Sequence, residues 1–224
     1  NAEGRWVNLD CPFSSGLHAL LVMQDGSLLM AGGRYFVKQG GFRGELVLYK
    51  NGVFKEIEFD VPMPRLRALK AYKGGVLIVG DQGHLYYLDN WRIDKLESNV
   101  RHDLMDMVTL PTGEAIVVGD FGTIMTAADD FTKALAPPAQ VAEQSQWESM
   151  LSPSKKQLWN ICQAVGGGCY ACGEAGTVLY LEKDSWRQLP APTELNLHCV
   201  WDSGSGVFAA GQLGRIYRYD GQQW

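Results

Sequence analysis

The chain has 224 residues, of which 46% are hydrophobic and 20% are charged, so it can bury a sizeable core. Its formal net charge of -5 argues against a nucleic-acid-binding surface, because such surfaces need clustered Lys and Arg to neutralise phosphates. No apolar run approaches the roughly 20 residues that a membrane span requires, so we expect no membrane span.

One sequence pattern recurs five times along the chain. Each copy has an apolar run, a Gly, a polar residue, shortly afterwards a second Gly, and an alternating run that ends near Asp or Asn and an aromatic residue. The copies span residues 26–54, 75–91, 114–131, 168–186 and 206–224, and the first of them is the loosest. Alternating runs on both sides of a glycine-containing turn predict two antiparallel strands in each copy.

Two further strands are predicted around each copy. A short apolar segment precedes the first Gly of every copy, and an aromatic-led segment follows the alternating run, beginning at Val53, Trp91, Phe131 and Trp186 in the first four copies. Four antiparallel strands, repeated about every 45 residues, are typical of a β-propeller blade. The sequence therefore predicts an all-β protein with one domain, residues 1–224, folded as a single five-bladed β-propeller of four-stranded antiparallel blades. The blades are centred on Gly32, Gly80, Gly119, Gly173 and Gly211.

The two ends of the sequence complement each other in this scheme. The fifth copy ends at Trp224, where its outer strand should begin, and residues 4–10 resemble an outer strand that has no blade. We therefore expect the N-terminal strand to close the ring by joining the fifth blade.

Two insertions interrupt the repeat. Residues 34–43 separate two strands that are joined tightly in the other copies, and they include Arg34, Tyr35 and Phe36. This insertion is predicted to be either a partner-binding loop or a long hairpin whose aromatic residues fold back onto the blade. Residues 134–156 form the second insertion, in which a short helix over residues 141–150 would place Trp147 on an apolar patch. That patch would either meet a partner or pack onto the propeller.

The repeat resembles a known group of propellers. The segments GTIMTAADDF, from Gly122, and RIYRYDGQQW, from Arg215, resemble the degenerate Asp-box grammar of bacterial BNR-like and YCF48-like β-propeller repeat proteins. The full Asp-box pattern is not kept, since only Asp220 and Gly221 retain the Asp-Gly pair before a tryptophan. The resemblance implies the fold. It implies no particular activity, because such propellers include glycosidases, lectins and assembly factors.

A set of polar residues near the start of the innermost strands differs from copy to copy, as a binding surface should. Counting back from the first Gly of each copy aligns Arg67, Asp106, Asn160 and His198, with His18 close to the matching place. In a closed propeller these residues would surround the mouth of the central channel. Other candidates lie on the preceding loops: Arg65, Arg101, His102, Asp103 and Trp159. The alternative is that all of them only solvate the channel or bond to each other.

The sequence has no motif for a nucleophile, a zinc site, a phosphate-binding loop or a dinucleotide site, so we expect no catalytic residues, metal or cofactor. The five cysteines, an odd number, are expected to be reduced thiols, which favours a cytoplasmic protein; the alternative is an exported mature form. Cys169 and Cys172 form a CxxC pair, but the repeat places both at small apolar core positions.

These observations favour a non-catalytic scaffold that binds another protein, of the assembly-factor or toxin-neutralising type, through its channel-mouth loops. One alternative is a carbohydrate-binding lectin, which should repeat the same aromatic and polar pair in each blade. The other is a BNR-type glycosidase, which needs two facing carboxylates drawn from Asp103, Asp106 or Glu148.

Overall fold

The computed structural model describes residues 6–13, 16–37, 40–59, 62–127 and 147–224. These residues form five antiparallel sheets, in each of which the strands follow chain order. The first sheet contains β1 (Gly16–Val22), β2 (Leu28–Phe36), β3 (Gly41–Lys50) and β4 (Val53–Ile57). The second contains β5 (Leu66–Tyr72), β6 (Gly75–Gly80), β7 (Leu85–Asp89) and β8 (Arg92–Leu96). The third contains β9 (Leu104–Thr109), β10 (Ala115–Gly119), β11 (Ile124–Ala127) and β12 (Trp147–Ser149). The fourth contains β13 (Leu158–Gln163), β14 (Cys169–Gly173), β15 (Val178–Glu182) and β16 (Ser185–Gln188). The fifth contains β17 (Leu197–Asp202), β18 (Val207–Gly211) and β19 (Ile216–Tyr219).

The innermost strand of each sheet packs against the innermost strand of the next, in the series β1, β5, β9, β13 and β17. Apolar side chains fill each of the four spaces between consecutive sheets. This arrangement explains the unbroken apolar runs in the second strands. In β6, for example, residues 76–79 are all buried, because both faces of the sheet are covered.

The five predicted repeats are thus confirmed as five sheets, four of which have the predicted four strands. Cys169 and Cys172 are fully buried, as their repeat positions predicted. Within the described ranges, no helical segment has the length and apolar character that a membrane-spanning helix needs.

Closure of the ring by the N-terminal strand is not confirmed. Residues 6–13 belong to none of the five sheets, and the Trp6 side chain is fully exposed. Among the described residues, β17 and β1 do not make the kind of contact that joins the other innermost strands. Residues 4–10 have the sequence pattern of an outer strand. A sequence pattern does not show whether the open edge of the fifth sheet is close enough to pair with them. Residues 1–5 lie outside the described ranges.

The prediction for the second insertion is wrong where it can be compared. Residues 147–149 form β12, which pairs with β11, and they do not belong to a helix. Trp147 is buried, whereas Glu148 and Ser149 are exposed. The sequence had placed the fourth strand of the third sheet from Phe131. Phe131 and residues 141–146 of the proposed helix lie outside the described residues.

Candidate partner-binding face

The second and third strands of four sheets are joined by the same short turn. Each turn is a single 3₁₀ turn whose middle residue has a positive φ, for example 60° at Gln82 and 55° at Phe121. The turns cover Asp81–Gly83, Asp120–Gly122, Glu174–Gly176 and Gln212–Gly214. In each turn the backbone amide of the first residue donates a hydrogen bond to a carbonyl just before the innermost strand of the same sheet. In the second sheet, the Asp81 amide donates to the Arg65 carbonyl oxygen at 2.9 Å. The turns and the loops before the innermost strands therefore share one end of the molecule, which we call the upper face.

The first insertion is an extended hairpin on this face. β2 and β3 continue past the position of the turn in the other sheets, so that Tyr35 pairs with Phe42 and Phe36 pairs with Gly41. The rings of Tyr35 and Phe42 meet edge to face with their centroids 5.1 Å apart, and both side chains are about half exposed. The insertion is a long hairpin, but its aromatic residues do not fold back onto the blade as the second alternative required. It presents its aromatic pair to solvent instead of burying it.

Arginine side chains connect this hairpin to the second sheet. The guanidinium of Arg65 lies 4.2 Å from the centroid of the Phe42 ring, a cation–π contact. The same guanidinium forms an ion pair with Asp81 at 3.0 Å. Arg34 lies 5.7 Å from the Phe36 ring and pairs at 3.0 Å with the buried carboxylate of Glu45. Burial raises the pKa of Glu45, and the positive charge of Arg34 opposes that shift. The exposed aromatic residues are thus held on a network of ion pairs.

The innermost strands carry one β-bulge each, at the end of the strand where the sequence predicted the channel mouth. The residues between the shifted pairs are His18, Arg67, Met105, Trp159 and His198. Four of them border a cavity of about 270 Å³ that also touches Asp106 and Asn160. The rings of Trp159 and His198 stack at 5.1 Å between centroids. Burial and the nearby charges of Arg67 and Arg65 lower the pKa of His18.

This geometry corrects the sequence alignment of the channel residues. Met105 and Trp159 occupy the bulge positions in the third and fourth sheets, where the alignment had placed Asp106 and Asn160. The count was shifted because the connection between the first and second strands is one residue longer in these sheets than in the second and fifth. Counting back from Gly119 and Gly173 by the same number therefore stops one residue too far along the strand.

Asp106 and Asn160 border the same cavity and also bridge neighbouring innermost strands. Asn160 donates from Nδ2 to the carboxylate of Asp106 at 2.7 Å, and the backbone amide of Ile161 donates to the same oxygen at 3.1 Å. The Asn160 Oδ1 accepts from the amide of Val200 at 2.8 Å. These bonds join β9, β13 and β17. Burial raises the pKa of Asp106, against the effect of Lys70 and of its hydrogen-bond donors.

The loop before β9 also places its three predicted residues on the upper face. Asp103 accepts from the backbone amide of Gln82 at 2.9 Å and lies 3.7 Å from Arg67. The His102 ring lies 4.8 Å from the ring of Phe121, which is exposed at the middle position of its turn. Arg101 is exposed and borders a groove of about 660 Å³ between this loop and the turn at Gln82.

Trp147 does not lie on this face, which corrects its prediction as a partner-binding residue. Its side chain is buried in the core between the second and third sheets, together with Leu96 and Met125. Phe42 lies within the predicted insertion 34–43, whereas Phe121, another exposed aromatic residue on the upper face, was not among the predicted candidates. The exposure of Phe121 could have been predicted from the sequence, because the middle residue of a tight turn between two strands points to solvent. Among the described residues, no group of three or more His, Cys, Asp or Glu is arranged to hold a metal ion.

Comparison with solved structures identifies the fold of the chain. No family pattern matches the chain, and no curated protein is similar to it in sequence. Solved structures do match. YCF48 bound to D1 peptide superposes with a TM-score of 0.65 at 16% identity, over 98% of this chain and 69% of that one. The WD40 β-propeller domain of Doa1 superposes with a TM-score of 0.63 at 11% identity, over 92% of this chain and 79% of that one. The chain has the fold of a β-propeller repeat protein.

Proposed function

We propose that this protein is a non-catalytic β-propeller scaffold that binds another protein through its upper face. The observation that carries the proposal is the set of exposed and half-buried aromatic rings there, each held by a neighbouring ring or cation. Tyr35 packs on Phe42, which contacts Arg65; Phe121 packs on His102, and the half-buried Trp159 packs on His198. Aromatic residues and Arg dominate the binding energy of protein interfaces, and fixed side chains lose little entropy on binding.

The charges of the upper face fit a polypeptide better than a single charged ligand. Arg65 and Arg67 both pair with Asp81, and Asp103 lies 3.7 Å from Arg67, so two positive and two negative charges are interspersed over a short distance. A polypeptide can match such a pattern with its own mixed side chains and backbone groups. A nucleic acid would instead require an excess of positive charge. YCF48, one of the structural neighbours, is bound to a peptide, which supports the same class of partner for this chain.

The two alternatives fit the site less well. A lectin should repeat its pocket, but the five bulge positions hold two histidines, an arginine, a methionine and a tryptophan. A glycosidase needs two carboxylates roughly 5 to 10 Å apart. Of the three predicted carboxylates, Glu148 lies on the outermost strand of its sheet and Asp106 on the innermost, three strand spacings or about 14 Å away. Asp103 is engaged by Arg67 and by the backbone amide of Gln82. We also propose that the protein acts in the cytoplasm and that its repeats are of the bacterial BNR-like kind. Whether it assembles a complex or neutralises a toxin is part of what the experiment below would decide.

The test is a pull-down from an extract of the native host. The wild type is compared with a Tyr35→Ala, Phe121→Ala, Trp159→Ala variant and with a matched control variant, Val53→Ala, Trp91→Ala, Val165→Ala. The control removes exposed apolar side chains from turns at the opposite end of the sheets.

A specific protein should be recovered by the wild type and the control but not by the upper-face variant. Equal recovery by all three would exclude this face as the binding site. Recovery of a glycan without any protein would replace the proposal with the lectin alternative.

A further inference from the structure

One position of the innermost strands bonds to the innermost strand of the following sheet. In the third sheet this position is Asp106, whose carboxylate accepts from the backbone amide of Ile161 in β13 at 3.1 Å. In the fourth sheet it is Asn160, whose Oδ1 accepts from the amide of Val200 in β17 at 2.8 Å. An innermost strand pairs on one edge only, so its other edge has amides that need an acceptor from elsewhere. The two side chains supply that acceptor.

The same position holds alanine in the first two sheets. The residues that directly follow the bulge of each innermost strand are Ala19, Ala68, Asp106, Asn160 and Cys199. Ala19 packs against the core between the first and second sheets, as its position predicts. A methyl group accepts no hydrogen bond, so Ala19 cannot do for the second sheet what Asp106 does for the fourth.

The amide that lacks an acceptor is that of Leu69. Leu69 corresponds to Ile161 and Val200, because all three pair with the residue two positions before the first Gly of their repeat: Ile78, Ala171 and Ala209. Its N–H therefore points away from β6 and toward the channel. Leu69 is buried, and no acceptor for its amide is found among the residues that the structure describes. The corresponding amide of the third sheet, at Met107, bonds to Asp106 itself.

A cavity lies where the missing side chains would be. It is the cavity of about 270 Å³ described above, and Ala19, Ala68 and Leu69 all border it. Its border is formed by four innermost strands, and the space between the first and second sheets is internal to the structure. The missing acceptor is therefore due to the residue at position 19 and not to the place where the sequence begins or ends.

The cavity also has a positive charge that no neighbouring group pairs with directly. Lys70 follows Leu69 at the cavity border, and within the described ranges it forms no ion pair. Arg67, the other cation at this border apart from the histidine, is already paired with Asp81. The carboxylate of Asp106 has its own donors in Asn160 and Ile161. An amide without an acceptor and an unpaired ammonium group thus lie side by side.

We propose that this cavity binds a carboxylate, which takes the place of the side chain that Ala19 lacks. One carboxylate oxygen accepts from the Leu69 amide, as the Asp106 carboxylate does from Ile161, and Lys70 supplies the opposite charge. A water molecule can accept from the amide but gains nothing from the positive charge, so it binds less tightly than a carboxylate. The carboxylate belongs either to a free small ion or to the polypeptide at the upper face, and the experiment separates these two sources.

The test is a titration of the isolated chain, followed through the amide resonance of Leu69 by nuclear magnetic resonance. The probes are sodium acetate, acetamide and sodium chloride. Acetamide has the shape of acetate without its charge, and chloride controls for ionic strength. Acetate should give a saturable shift of the Leu69 resonance, with binding about tenfold tighter than that of acetamide. Chloride at the same concentrations should give no saturable shift.

Two variants test the two groups of the site separately. Ala19→Asn supplies an amide oxygen from within the chain, as Asn160 does in the fourth sheet, and should abolish the response of Leu69 to acetate. Lys70→Met removes the charge and should weaken acetate binding by about tenfold. Lys55→Met is the control, because Lys55 is exposed on β4 in the outer part of the first sheet, and it should bind acetate like the wild type. Thermal unfolding verifies that each variant is folded.

A wild type whose Leu69 resonance shows no saturable response to acetate would overturn the proposal, since the cavity would then hold only water. So would an equal response to chloride, or a folded Ala19→Asn or Lys70→Met variant that binds acetate as tightly as the wild type. If acetate binds and an excess of it lowers recovery of the partner in the pull-down, the carboxylate belongs to the partner; if recovery is unchanged, it belongs to a free ion. The titration uses the isolated chain, so its failure would leave the proposed protein binding at the upper face untouched.

Discussion

At the scale of single residues, the Asp106 carboxylate shows how a polar group is kept between apolar sheets. It receives two hydrogen bonds, one from the Asn160 side chain and one from the Ile161 amide. Asn160 in turn accepts from the Val200 amide, so three innermost strands are joined by one short network. A network of this kind is stabilising only while each donor has its acceptor.

Replacing Asp106 separates the effect of its hydrogen bonds from the effect of its charge. Asp106→Ala leaves the Asn160 amide and the Ile161 N–H without an acceptor, and we expect it to lower the free energy of unfolding by about 1 to 3 kcal/mol. Asp106→Asn keeps an oxygen acceptor and removes the charge. It should cost less than the Ala variant and be at least as stable as the wild type at neutral pH. Urea unfolding of the three proteins measures these differences.

The pH dependence of this comparison has a definite sign. Burial raises the pKa of Asp106, so the folded protein binds this proton more tightly than the unfolded chain does. The wild type therefore gains stability as the pH falls through the folded-state pKa, and the Asn variant cannot gain it. The advantage of the Asn variant should shrink on acidification. A difference that does not change with pH, or an Asn variant as unstable as the Ala variant, would contradict the role of the charge.

At the scale of elements, the repeated turn determines how closely two sheets approach. Its second glycine has a positive φ and also lies against a carbonyl of the following sheet, as at Gly176 beside Thr193. The fifth turn has the same conformation at Gly214 without that contact among the described residues. The two glycines therefore share the left-handed conformation and differ in whether a carbonyl of a following sheet lies against them.

Replacing each of these two glycines with alanine should show how much the close contact with the following sheet limits the size of the residue. Gly214→Ala has only the cost of a left-handed conformation, about 1 to 2 kcal/mol. Gly176→Ala has the same cost and also forces the sheets apart, which adds about 1 to 3 kcal/mol. Urea unfolding of the wild type and of both variants measures these losses. Equal losses of stability would mean that the turn at Gly176 is not pressed against the fifth sheet.

The sequence predicted the strands well because each repeat combines a glycine turn with apolar runs that are buried on both sides. It placed the bulge of the innermost strand one residue too far along the chain in two sheets, at Asp106 and Asn160 instead of Met105 and Trp159. The β-bulge and the length of the first connection shift the register by one residue, and neither is visible in an apolar pattern. The buried position of Trp147 was missed for a related reason. A strand of three residues that follows a long insertion is too short to show an alternation.

At the scale of the whole molecule, the sequence indicated five repeating units but not how the first and last would relate. Residues such as Leu17 and Ile216 follow the repeat whether or not a neighbouring sheet covers them, so their exposure could only be seen in the structure. The same is true of the upper face. Tyr35, Phe121 and Trp159 come from three different sheets, and only the fold brings them to one end.

The most direct test of the central claim, that a protein partner binds the upper face, is amide hydrogen exchange of the chain with and without the recovered partner. We predict slower exchange in the hairpin at residues 34–36 and 41–43, in the loop at residues 101–103 and in the turn Asp120–Gly122. The turns at the opposite end, at residues 73–74 and 164–168, should be unchanged. Protection confined to those opposite turns, with the upper face exchanging as in the free chain, would contradict the claim.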